Sequence, residues 1–304
     1  MQPIRKLGSW LGVSLLWLLH LLPNRGVAAV GRILGAFLYR FGRGRVARIN
    51  LALCFPDLTE AERHALGLAH FKALGRALAE QSIFWFAPIE RAMAMVKITG
   101  GEHFDRLKGQ PVIVFAPHFI GLNLGGPKIA HDYPGSASVY SRQKNPVLDR
   151  LLYHGRVRFG SPRLLSRQDG MLAVVRTLRE GRMFYFLPDM DFGRRDAIFT
   201  PFFGVPAATV TAMPRLAKLA RATVVPIVTR QLKDGYEVVV HPPWEDYPTD
   251  DVEADVRRMN AFIEERVREM PEQYFWAHKR FKTRPEGEPS PYRKAVKPAR
   301  GGKA

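Results

Sequence analysis

From about residue 96 the chain alternates short runs rich in β-branched and aromatic residues with longer stretches of helical periodicity, and no other feature restricts its fold as much. Strand-like runs fall at 96–99 (VKIT), 111–116 (PVIVFA), 137–141 (ASVYS), 183–188 (MFYFLP), 223–229 (TVVPIVT) and 236–241 (YEVVVH). Helical patterns at 119–132, 146–159, 168–181 and 209–221 lie between them. Strands alternating with helices predict an α/β fold, a mostly parallel sheet flanked by helices, with functional residues at the carboxyl ends of strands. Two further helices frame this region. Thr59-Glu60-Ala61-Glu62 is a capping box opening a helix that runs to about Ala87. Asp250 to Met270 puts Val252, Val256, Met259, Phe262, Ile263, Val267 and Met270 on one face, and Pro271 ends it.

The charge is as uneven as the fold pattern is regular. Of 304 residues, 46 are Lys or Arg and 28 Asp or Glu, a net charge of +18 that sits mostly at the termini. Arg5, Lys6, Arg25, Arg32, Arg40, Arg43, Arg45 and Arg48 all precede the first acidic residue, Asp57, and the last twelve residues add Arg293, Lys294, Lys297, Arg300 and Lys303. A 46% hydrophobic content excludes disorder for most of the chain. The single cysteine, Cys54, excludes a disulfide framework and any multi-Cys metal site. The N-terminal cations flank an apolar run, Leu7 to Leu22, closed by Pro23. About 16 helical residues span about 24 Å against a hydrocarbon core of about 30 Å, marginal for crossing and comfortable in the interface. A cleaved signal peptide and a buried helix of a soluble domain are the rival readings of the run. The amphipathic stretch 26–41 and the Arg43, Arg45 and Arg48 cluster favour an anionic membrane surface. No zinc-finger, RNP or basic-zipper signature aims these charges at nucleic acid. The expected organisation is an apolar and basic membrane-anchor region over 1–56, an α/β domain over 57–292 and a disordered basic tail over 293–304.

Within the α/β region, Ala116-Pro117-His118-Phe119-Ile120-Gly121-Leu122-Asn123 places His118 between an apolar strand and a helix, where a general base can meet substrate. The backbone N–H groups opening that helix suit an anion or a developing oxyanion. Asp189 and Asp191, two apart at the end of another strand-like run, form a DxD pair. Such a pair also fits a divalent metal holding a nucleotide-sugar diphosphate, the chemistry of a glycosyltransferase. His64, His70, His131, His154 and His241 have no companions at metal-ligand spacing.

The blocks together resemble the lipid A late acyltransferases, lauroyl and myristoyl transferases within the lysophospholipid acyltransferase superfamily. His118-x4-Asn123 matches that superfamily's His-x4-acid motif except at its acid. Asn50-Leu51-Ala52-Leu53-Cys54-Phe55-Pro56 resembles an early NLxxCFP block, and Asn145-Pro146 with Gly155-Arg156 matches the helix after the His motif. Leu187-Pro188-Asp189-Met190-Asp191-Phe192-Gly193 matches PDxDxG, and Gln273-Tyr274-Phe275-Trp276 through His278 to Gly287 is close to a QYxWxHxRFKTRP ending. The resemblance runs from the N-terminal anchor to about Tyr292. It implies an acyl-carrier-protein-dependent O-acyltransferase at the cytoplasmic face of the cell inner membrane, acylating a hydroxyl of a lipid A precursor or related phosphorylated lipid. Neither metal nor redox cofactor is implied, because the thioester brings its own activation. The implied roles are His118 as base, Asn123 orienting it, Arg156 beside the oxyanion, and Asp189, Asp191, Arg142 and Arg194 as substrate-binding residues. Asn123 brings no charge to the relay, which leaves a weak or inactive lipid-binding homologue as the alternative, with Asp189 or Asp191 as substitute carboxylates.

Overall fold

Four consecutive apolar residues, Val112 to Phe115, are all buried, which an all-apolar strand requires and which only a central strand covered on both faces provides. In the computed structural model, which describes residues 2–293, this strand is the middle of a seven-stranded sheet. The chain first forms α1 (Gln2–Leu19), α2 (Asn24–Phe41), α3 (Gly44–Cys54), α4 (Glu60–Phe86) and α5 (Ile89–Met93). It then runs through β1 (Val96–Thr99), α6 (Glu102–Asp105), β2 (Val112–Phe115), α7 (Leu122–Asp132), β3 (Ala137–Tyr140), α8 (Pro146–Val157) and β4 (Arg163–Ser166). The remainder is α9 (Gly170–Arg179), β5 (Met183–Phe186), β6 (Ala197–Phe202), β7 (Val205–Val210), α10 (Ala212–Ala220), β8 (Thr223–Gln231), β9 (Tyr236–Val240) and α11 (Val252–Glu269).

Strand order is β1-β9-β8-β2-β5-β3-β4. Five strands from β8 to β4 are mutually parallel, whereas β9 returns antiparallel to β8 and carries β1 parallel to itself. The mostly parallel expectation therefore holds, since within this sheet β8–β9 alone pairs antiparallel, where a hairpin replaces a helical crossover. β6 and β7 form a separate antiparallel hairpin, and neither they nor β4 carry a strand-like run noted in the sequence reading. Alternate residues of β2 face opposite layers. Val112 and Val114 pack with Ile83, Phe84 and Leu124 of α4 and α7. Ile113 and Phe115 pack with Leu178, Leu216, Met259 and Ile263 of α9, α10 and α11.

The N-terminal helices dock through α2, which crosses α4 at glycines. A Cβ on Gly35 would lie 1.9 Å from the Phe71 carbonyl oxygen and one on Gly75 would lie 2.2 Å from that of Gly31, so the backbones meet where any side chain would separate them. Thr59 and Glu62 complete the predicted capping box on α4. The opposite face of α2 exposes Ile33, Leu34, Phe37 and Phe41, and α1 exposes Trp10, Leu11, Leu15 and Leu18. Among the described residues no helix is long and apolar enough to cross a membrane. Residues 294–304 of the expected basic tail lie outside the described residues.

Three histidines are held neutral by the fold. Burial pushes His70, His241 and His278 down to about 4, assisted at the latter two by nearby arginines. In the unfolded chain each binds its proton near 6.5, so the unfolded state takes up more protons between those values and stability rises with pH across that window. It should be fully present above about pH 6.5 and be lost progressively towards pH 4. His70, fully buried, accounts for about 2–3 kcal/mol of this at pH 4.5. Urea unfolding midpoints at pH 7 and pH 4.5 measure it, with a smaller drop expected in His70→Phe.

Candidate active site

The ladder between β2 and β5 extends one residue past β2, where Ala116 N donates to Phe186 O at 2.9 Å. Pro117 then offers no N–H and the strand ends, leaving His118 at its carboxyl end. Asp189 occupies the same place after β5. Because the two strands are parallel neighbours, residues 71 apart in sequence come into contact. The Asp189 carboxylate accepts from His118 twice, from the ring at Nδ1 (2.6 Å to Oδ1) and from the backbone N–H (2.9 Å to Oδ2). Tyr274 Oη donates to Oδ2 at 3.2 Å. An ionised carboxylate only accepts, so Nδ1 carries the proton and the lone pair is on Nε2. Burial opposes ionisation of Asp189, but the His118 ring, its two hydrogen bonds and the more distant Arg280 outweigh burial and hold the carboxyl below its ordinary range. Burial and the Asp189 charge push Tyr274 well above the ordinary tyrosine value, which keeps it a donor.

The second aspartate of the DxD pair does different work. Asp191 accepts from Thr283 N at 2.6 Å, Thr283 Oγ1 at 2.7 Å and Gly193 N at 2.9 Å, while its own N–H donates to His278 Nε2 at 3.0 Å. It fastens the closing block to the turn after β5. Both aspartates are buried and neither lines the cavity beside His118. Among the described residues no cluster of three or more His, Cys, Asp or Glu is placed to hold a metal ion. The expectation that Asp189 and Asp191 bind substrate is therefore corrected: both carboxylates are buried and each already accepts three hydrogen bonds from the protein. The closing block itself lies along the His118 segment. Ile120 N donates to Gln273 O at 2.8 Å, and Phe275 N donates to His118 O at 3.1 Å. Asn50 of the early block ties it down, donating to Trp276 O at 2.8 Å and to His278 O at 2.7 Å and accepting from Tyr292 Oη.

A cavity of about 1050 Å³ opens beside His118. Leu122, Ile129, Val139, Leu164, Val174 and Phe186 give it apolar walls. Arg156 reaches it from α8, its guanidinium carbon 5.7 Å from the Tyr140 ring centre, without a carboxylate partner among the described residues. Gly155 lets that helix approach, since a Cβ there would lie 2.5 Å from the Trp85 indole. The other two arginines of the sequence reading do not line the cavity. Arg194 donates to Arg284 O at 2.7 Å and stacks on Phe199, leaving its neighbour Arg195 on the cavity wall. Arg142 is exposed near Tyr140 and Asp149, next to the lining residues Ser141 and Gln143. Asn123 does line the cavity, but the carboxylate on the His118 ring belongs to Asp189. Asp189, one of the two substitute carboxylates considered for the relay, thus takes the place expected of Asn123, because the strand pairing delivers a full charge to Nδ1. Tyr274 was not singled out as a site residue, although it lies in the block that carried the strongest resemblance.

Comparison with known proteins identifies the family. The sequence model of the family described as bacterial lipid A biosynthesis acyltransferase matches residues 2–283. The lipid A biosynthesis lauroyltransferase of Escherichia coli (strain K12) is 36% identical over 291 residues, 93% of this chain and 94% of that protein. The palmitoleoyltransferase of the same organism is 34% identical over 291 residues, covering 93% and 94%. An acyltransferase of lipid A biosynthesis from Haemophilus influenzae is 32% identical over 285 residues, covering 91% of each.

Asp191→Ala should strand the Thr283 and Gly193 donors and lower unfolding free energy by about 2–4 kcal/mol. Chelator or added Mg²⁺ should leave the Tm of the wild-type protein unchanged. A Tm that rises with Mg²⁺ and no longer does so in the variant would restore the metal reading.

Proposed function

The chain belongs to the bacterial lipid A biosynthesis acyltransferases, and from that premise we propose that it moves a fatty acyl group from an acyl carrier protein thioester to a hydroxyl of a phosphorylated lipid A precursor. The observation that carries this reading is the His118 ring, held at Nδ1 by a buried carboxylate and placed on the wall of a large apolar cavity. Nε2 takes the proton of the acceptor hydroxyl as its oxygen bonds to the thioester carbonyl carbon and the carbonyl π pair moves onto oxygen. Collapse of the tetrahedral intermediate breaks the C–S bond, and the departing thiolate takes the proton from the imidazolium. Asp189 fixes the tautomer and stabilises the imidazolium between the two steps. Arg156 supplies an unpaired positive charge for the developing oxyanion or an acceptor phosphate, and the apolar walls receive the acyl chain. The inactive-scaffold alternative drew its strength from a missing charge at position 123, and Asp189 provides a carboxylate there. The glycosyltransferase alternative needed a free DxD pair, which Asp191 does not leave.

The N-terminal helices fit the same reading as a seat on an anionic bilayer at the cytoplasmic face of the inner membrane. The exposed apolar face of α2 is bordered by Arg32, Arg40 and Arg43. Such an element lies in the interface, held by apolar burial and by attraction to anionic headgroups.

Purified protein supplied with acyl carrier protein thioester and a lipid A precursor should yield an acylated product by mass spectrometry. His118→Ala should abolish turnover and Asp189→Asn should lower kcat by about 10³–10⁴. Near wild-type turnover in His118→Ala overturns the mechanism. For the membrane seat, Phe37→Ser should reduce co-sedimentation with anionic vesicles about tenfold, while high salt weakens it only in part. Complete release by salt alone would show that the apolar face is not inserted.

A further inference from the structure

Asn123 is left over by the mechanism. It stands where the superfamily motif has an acid, yet the acid on His118 is Asp189. The asparagine sits in the first turn of α7, exposed, on the wall of the same cavity as His118. Its backbone carbonyl accepts from Gln81 Nε2 at 3.3 Å, which ties that turn to α4, and Gln81 lines the cavity too. The carboxamide makes no hydrogen bond to the described residues, and the side chain lines the space where substrate sits.

We propose that Asn123 contacts substrate directly, its Nδ2 amide donating a hydrogen bond to the carbonyl oxygen that becomes negative in the tetrahedral intermediate. The inference rests on the acyl-transfer reading and assigns the residue a role opposite to that of a relay acid. The chemistry decides between the two. A carboxylate at neutral pH has no proton to donate, and with Asp189 already ionised beside His118 a second one would set another negative charge against the forming oxyanion. A neutral amide adds a donor and no charge, which is what an oxyanion requires of a neighbour. Exchanging acid for amide at this position is therefore consistent with a relay already supplied by β5. It also accounts for a polar side chain kept at the cavity wall without a protein partner.

The test compares Asn123→Ala and Asn123→Asp with wild type in two reactions: transfer to a lipid A precursor, and hydrolysis of S-dodecanoyl-N-acetylcysteamine, which forms the same oxyanion without the lipid acceptor. Because the side chain is exposed, both variants should fold with unchanged circular dichroism and Tm. Asn123→Ala should lose about 10²-fold in kcat, typical of one oxyanion donor, with little change in KM and an unaltered pH profile. Asn123→Asp should lose more at pH 7.5 and recover part of that loss, relative to wild type at the same pH, as pH falls and its carboxyl gains a proton to donate. Asn123→Asp equal to or faster than wild type, or Asn123→Ala equal to wild type, overturns the proposal. Hydrolysis that depends on Asn123 without lipid transfer sinks the acceptor assignment alone. Transfer that is indifferent to Asn123 sinks this inference alone. Wild-type protein inactive in both reactions sinks both.

Discussion

The pairing of β2 with β5 is the constraint on which the site rests. Both strands run the same way and end level, so the residue that leaves each one meets its counterpart beyond the sheet. One consequence is a carboxylate bound at once to the backbone and the ring of the same histidine. A buried charge is costly unless it is hydrogen-bonded and opposed, and Asp189 is both. Its two bonds to His118 and the donor from Tyr274 make ionisation the stable state, so the histidine faces the cavity with its proton fixed on the far nitrogen.

This corner is braced by segments remote in sequence. The closing block runs beside the His118 segment and supplies Tyr274, Gln273 is bonded across to Gln231 of β8, and Asn50 of α3 holds the carbonyls of Trp276 and His278. Asp191 fastens the turn after β5 to Thr283. The sequence blocks that looked like separate family signatures are thus one assembly in space, and the two aspartates of the DxD pair divide its work. One orients the histidine, and the other keeps the covering segment in place. Their shared burial excludes the role suggested by spacing alone, in which both would face a ligand.

The excess positive charge is unevenly placed. Much of it lies on or beside helices whose apolar residues point outward, and glycine contacts between α2 and α4 hold those helices against the domain. A close glycine crossing spends one face of α2 on the protein and leaves the other exposed. The cavity needs few charges of its own. Arg156, Arg195 and Asp196 reach it, and the remaining walls are mostly apolar.

Much of the architecture was legible in the chain. Six strand-like runs became β1, β2, β3, β5, β8 and β9, and the long helices α4 and α11 began and ended close to their capping and proline signals, because burial periodicity and end groups act over a few residues. The β6–β7 hairpin and β4 were missed, since short edge elements depend on what they pack against. His118 was legible too, being set by a strand end and a proline. Its partner was legible only in part: local spacing pointed to Asn123, five residues on, with Asp189 or Asp191 as substitute carboxylates. Which acid meets the histidine follows from strand order, in which β5 and not β3 lies beside β2. The sequence by itself therefore determined most of the elements, the family and the place of His118. Only the tertiary structure decided the acid, the function of each aspartate and the freedom of Asn123, because these depend on which strands become neighbours.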